Sequence, residues 1–128
     1  MRPRGPLDAP EEIDGAALET LVFQELRACN HYHDLDYEIF YWRTAAGREV
    51  DFVLYGPRGI VAIEVKRSAR VTDEMFGGLR MFMKEYPMAR AYFLTAGDRD
   101  GWENGVRVMP IEAFLKNIGA ELAIDDLK

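Results

Sequence analysis

Glu49–Lys66 reads EVDFVLYGPRGIVAIEVK, two apolar runs on either side of a Gly-Pro-Arg-Gly turn. Runs rich in β-branched and aromatic residues, bounded by glycine and proline, predict a β-hairpin. With Pro57 and Arg58 as the two loop residues, paired positions add to 115. Asp51 then faces Glu64, Val53 faces Ala62 and Tyr55 faces Ile60. Side chains alternate between the faces of a strand. Asp51, Glu64 and Lys66 therefore share one face, and Val50, Phe52, Leu54, Val61, Ile63 and Val65 share a wholly apolar one. Directly opposed residues hold their Cβ atoms about 4.5–5.5 Å apart, where like charges destabilise. Two facing carboxylates at that distance call for a cation between them, and the adjacent Lys66 makes the place attractive to an anion. A one-residue slip of register would break the pairing.

Outward from the hairpin, Tyr37–Thr44 (YEIFYWRT) is a further strand by its aromatic and β-branched content. Ala45-Ala46-Gly47-Arg48 joins it to the hairpin, giving a three-stranded antiparallel meander. Upstream, Leu18, Leu21, Val22, Glu25 and Leu26 recur at helical spacing, predicting a helix from Ala16 to about Cys29 with Asp14 as its cap. Asn30-His31-Tyr32-His33-Asp34 is expected as a loop. Residues 1–14, with Pro3, Pro6 and Pro10 among acidic neighbours, read as a flexible leader, and 15–128 as a single domain. The leader reads as the start of a short gene product or as a cut from a longer protein.

Downstream, Thr72 or Asp73 can cap a second helix to about Glu85, with Met75, Leu79, Phe82 and Met83 on one face. Gly77-Gly78 weakens that helix on propensity. Ala91–Thr95 is a short apolar strand that a helical crossover places parallel to its neighbour. Gly97–Gly105 reads as a polar loop, Val106–Met109 as an edge strand, and Pro110 opens a last helix to about Asn117. The sum is an α/β fold with a mixed central sheet flanked by helices.

The 128 residues suit one core, and no apolar run reaches the 18 residues that a membrane span requires. Cys29 is the single cysteine, so an internal disulfide is impossible and a cytoplasmic setting is expected. The net charge of −6 argues against an extensive nucleic-acid surface while leaving room for a local basic strip.

Asp51, then Glu64-x-Lys66 on the next strand, behind a helix bearing Glu19, resembles the PD-(D/E)XK nuclease core, also called restriction endonuclease-like. The order αβββαβ matches that core. More narrowly, GAALETLVFQEL, FYWRTAAGREVDFVL and AIEVKRS resemble the uncharacterised C-terminal domain of prokaryotic AAA+-type ATPases, over roughly residues 15–118. The resemblance implies that Asp51, Glu64 and the Val65 carbonyl hold Mg²⁺ (or Mn²⁺), with Glu19 as a further ligand or reaching it through water. It implies that Lys66 stands beside the attacking water and stabilises charge on phosphate. The residue before Asp51 is Val50 and not the proline of the motif's name, and the chain carries no Walker A sequence.

Around the site, Arg43, Arg67 and Arg70 are candidates for nucleic-acid contact, against an ordinary role as solvated charges. Glu25 is expected at the surface, His31 and His33 as solvated loop residues, and Tyr41 and Trp42 in packing. Three functions stay open. One is a Mg-dependent nuclease-like enzyme hydrolysing phosphodiester bonds of DNA or RNA. The second is a non-catalytic accessory or binding domain, a relic of the nuclease fold that packs on an ATPase domain missing from this chain. The third is a homodimeric scaffold, resting on the aromatic and methionine content. No membrane partner is expected.

Overall fold

The computed structural model describes residues 10–123, with side chains from Ala17 onward. The chain runs α1 (Pro10–Tyr32), β1 (Glu38–Arg43), β2 (Glu49–Gly56), β3 (Gly59–Lys66), a 3₁₀ turn (Asp73–Phe76), α2 (Gly77–Glu85) and β4 (Arg90–Thr95). It continues through β5 (Gly101–Glu103), β6 (Val106–Pro110), α3 (Ile111–Lys116) and α4 (Ile118–Leu122). Six strands form one mixed sheet in the order β1-β2-β3-β4-β6-β5. β1, β2 and β3 make the antiparallel meander, and β3, β4 and β6 run parallel. The expected mixed sheet flanked by helices is present.

The hairpin register is the one that the turn dictates. Gly56 pairs with Gly59, Tyr55 with Ile60, Val53 with Ala62 and Phe52 with Ile63. Gly59 sits at φ 117°, a conformation that glycine adopts without steric cost. Helices cover both faces of the sheet. On one face Val22 and Leu26 of α1, Phe114 of α3 and Leu122 of α4 pack on Leu54, Ile63 and Leu94. On the other, Phe76, Leu79 and Phe82 pack on Val53, Ala62 and Phe93. These rings interlock: Phe76 lies 4.5 Å from Phe93, and Trp42 meets Phe82 edge-on at 5.3 Å.

Several expectations are corrected. α1 starts at Pro10, because proline at a helix start forfeits only an N–H that has no intrahelical partner. Asp14 is thus inside the helix and not its cap, and only residues 1–9 of the expected leader lie outside the described residues. The helix also runs on through Asn30, His31 and Tyr32. Its stop is set by tertiary bonds: the Asn30 side chain both donates to the Tyr37 carbonyl and accepts from the Tyr37 N–H, each at 2.9 Å. Asp34 and Asp36 take left-handed φ values of 54° and 66° in the turn so formed. Leu21 is exposed; Val22, Leu26 and Cys29 carry the buried stripe.

The expected loop 97–105 contains β5, so β6 is an inner strand and β5 the edge. Three residues are too few to leave a periodic signal. Helix 73–85 begins as a 3₁₀ turn, without a side-chain cap from Thr72. Its glycines serve packing: a Cβ on Gly78 would collide with the Glu49 carbonyl and one on Gly77 with the Arg48 guanidinium. Among the described residues, no helix is long and apolar enough to cross a membrane.

Candidate functional site

β3 is buried along most of its length, and Glu64 and Thr95 are the buried polar or charged side chains among the described residues. Glu64 is 5% exposed. A carboxylate so placed must find partners, and both its oxygens have them. Oε1 accepts the Asp51 N–H at 3.2 Å, and Oε2 lies 3.1 Å from the Lys66 ammonium. Asp51 answers in kind, its Oδ2 accepting the Val65 N–H at 2.9 Å. The described backbone pairing of β2 with β3 ends at Phe52–Ile63. Beyond it, side-chain carboxylates replace backbone carbonyls in joining the two strands.

A β-bulge makes this possible. Phe40 pairs with Val53 and Trp42 with Val50, so Tyr41 alone stands opposite both Asp51 and Phe52. Bulges re-aim side chains and are frequent beside functional sites. Phe52 turns to α1, stacking on Phe23 at 5.9 Å. Val50 moves to the opposite face and joins the α2-side core with Val53 and Ala62. The expected face shared by Val50, Phe52 and Leu54 is corrected accordingly: the extra residue flips the alternation between Val53 and Val50.

The electrostatics tie four side chains together. Burial pushes the Glu64 carboxyl up to about 7, with Asp51 adding to the rise while Lys66 and the hydrogen bonds oppose it. Asp51 is raised by burial, against the pull of the Val65 N–H and Lys66. Glu19, on the exposed side of α1, is raised by partial burial and then by Asp51. Burial alone would lower Lys66, but Glu64, Asp51 and Glu19 together lift it above its ordinary value. Three carboxyls thus share one ammonium in a partly dry setting.

The donor set consists of hard oxygens, the chemistry that suits Mg²⁺. Yet among the described residues no three His, Cys, Asp or Glu side chains converge as a metal site. The structure brings Glu19, Asp51, Glu64 and Lys66 into one electrostatic group, in a closed arrangement. Val65, the other expected ligand, pairs with Leu94 of β4 and gives its N–H to Asp51.

The candidate contact arginines do not gather. Arg43 is exposed, 3.9 Å from Glu49, with its guanidinium 5.6 Å from the Tyr41 ring centre. Arg67 is exposed on a separate groove with Leu18, Leu21 and Ala69. Arg70 is exposed in a turn tied by the Ser68 hydroxyl, which accepts its N–H at 3.0 Å. Glu25 is at the surface, and Trp42 packs as expected, whereas Tyr41 is 61% exposed. His33 lies against Tyr32 and the backbone at Gly119 rather than beside the carboxylates.

Glu49 escaped the reading of the sequence. It raises the carboxyls of both Glu19 and Asp51, and the three line one groove between α1 and β1. The signal was available, since a residue two before Asp51 on a strand is its same-side neighbour.

No curated protein matches the chain. A family model for a domain of unknown function, DUF4143, matches residues 14–114, a span that takes in most of α1, the meander with Asp51, Glu64 and Lys66, and the parallel strands. The chain that folds in this way belongs to the DUF4143 family.

Proposed function

We propose that Glu19, Asp51, Glu64 and Lys66 form a divalent-metal-dependent, nuclease-type site of the PD-(D/E)XK kind, acting on nucleic-acid phosphodiesters. The observation that carries this reading is the buried Glu64 opposite Asp51, with a single ammonium shared among three carboxyls. Such a group is electrostatically incomplete. Asp51 and Glu64, with help from Glu19, would hold Mg²⁺ or Mn²⁺, which would supply Lewis-acid stabilisation of phosphate charge and a more acidic water. Lys66, 41% exposed at its side chain, presents its ammonium to an anionic oxygen. Burial holds the Glu64 carboxyl up at about 7 in the metal-free site, and a bound cation would draw it to the carboxylate form that a ligand needs.

A second reading has its own observation. Both oxygens of Glu64 are already engaged, by Asp51 N–H and Lys66. DUF4143 is known as a C-terminal domain of AAA-type ATPases. A closed, structural ion group suits a non-catalytic module serving such an ATPase.

Calorimetric titration with Mn²⁺, beside cleavage assays on single- and double-stranded DNA and RNA, separates the two. The nuclease reading expects Mn²⁺ binding lost in Glu64→Ala and metal-dependent cleavage lost in Asp51→Ala. A folded protein that takes up no Mn²⁺ and cuts none of these substrates is the accessory module.

A further inference from the structure

α1 and the sheet-edge strand β1 are separated by a long open groove. One half, about 490 Å³, is lined by Glu19, Glu49 and Asp51 over an apolar floor that includes Phe23, Ile39 and Tyr41. The other half, about 780 Å³, shares Phe23 and Ile39 with it and adds Asp34, Asp36 and Arg27. Counted over both adjoining pockets, five carboxylates (Glu19, Glu49 and Asp51 in the first, Asp34 and Asp36 in the second) stand against the guanidinium of Arg27. Arg43 lies at the groove's rim, on Glu49.

Three properties define the occupant. The groove is acidic, so it repels a polyanion and attracts cations. Its floor is aromatic, with Tyr41 61% and Phe40 47% exposed. β1 ends the sheet, and its outer edge carries no further strand among the described residues. An edge strand with exposed aromatic side chains is a template for an added strand.

We propose that this groove is a docking site for an extended basic polypeptide segment. It pairs with the open edge of β1 and sets its Lys or Arg side chains against Glu19, Glu49 and Asp51. Aromatic faces beside carboxylates suit such cations. The inference goes beyond the metal reading: Glu19 and Asp51 belong to both, so it describes the groove without a divalent cation, and Mg²⁺ held there would compete with the basic segment and offset the repulsion of a polyanion.

The test uses the full chain, kept free of divalent metal, and fluorescence anisotropy with three labelled probes. These are a peptide of alternating Arg and Val, its Glu–Val counterpart, and a single-stranded oligodeoxynucleotide. The basic peptide is expected to bind, more weakly as salt rises, and the other two are not. Methylating alternate backbone nitrogens of the basic peptide keeps its charge but removes strand pairing, and is expected to abolish binding. Tyr41→Ser, at an exposed position, should weaken binding roughly tenfold by removing an aromatic anchor. Absence of basic-peptide binding overturns the proposal. So does equal or tighter binding of the acidic peptide or the oligonucleotide, full binding by the methylated peptide, or no change in Tyr41→Ser.

Discussion

The Lys66 ammonium lies 3.1 Å from Oε2 of Glu64, a carboxyl that burial and Asp51 push up to about 7. The pair is asymmetric: Glu64 is nearly dry and Lys66 faces water. Removing the lysine therefore strands a buried carboxylate. Breaking a fully buried pair costs about 3–5 kcal/mol. Screening at the exposed ammonium reduces the expected loss for Lys66→Met to about 1–2 kcal/mol at pH 8. At pH 5 Glu64 is protonated and the loss should nearly vanish. Urea denaturation at the two pH values measures the difference.

Glu64 also sets a pH dependence of its own. Its folded pKa lies above that of an unfolded carboxyl, about 4.3. The folded state thus binds the extra proton, and stability falls as pH rises from about 4.3 through about 7. The drop from this one group is about 4 kcal/mol. Glu64→Gln should flatten that part of the profile and leave the variant more stable than the parent at pH 8. A steeper fall in the variant would contradict this account.

Gly78→Ala pits propensity against packing. In a free helix the change gains about 1 kcal/mol. Here the new Cβ meets the Glu49 carbonyl, and overpacking typically costs about 1–3 kcal/mol. The neighbour is backbone, so the upper end of that range applies and the expected net effect is a loss of about 2 kcal/mol, readable as a lower thermal midpoint. Because Glu49 leads into the bulge, Asp51 amide shifts in NMR should accompany it.

Arg90 clamps the last helix. Its guanidinium donates to the carbonyls of Glu121 at 2.7 Å and Leu122 at 3.1 Å, and the Tyr37 hydroxyl donates to the Leu122 carbonyl at 2.8 Å. Tyr92 adds a hydroxyl bond to the Glu121 carboxylate at 2.8 Å. Arg90→Met should cost about 1–3 kcal/mol by leaving these carbonyls short of donors. Hydrogen exchange should quicken first in α4 and only later in β3.

Much of this was legible in the sequence because a two-residue turn fixes the register of a hairpin. Gly-Pro-Arg-Gly was enough to pair Val53 with Ala62 and Tyr55 with Ile60. The β4 crossover followed from one apolar run after a helix. The bulge was not legible, because it depends on how β1 meets β2, and strict alternation therefore puts Val50 on the wrong face. Gly77-Gly78 looked like a helix defect because the chain that crosses it is local only in space. The Asn30 bracket on Tyr37, which ends α1, likewise joins residues that propensity treats separately.

The crossed carboxylate–amide bonds make Val65 N–H a reporter for whatever occupies the site. Any ligand that claims Oδ2 of Asp51 must first take it from that N–H. Occupancy and strand cohesion then compete for the same lone pair, so a filled site should loosen the β2–β3 seam at its open end. The Val65 amide proton, protected in the closed arrangement, would exchange faster as the ligand is added, while Ile63, one ladder pair inward, would keep its protection.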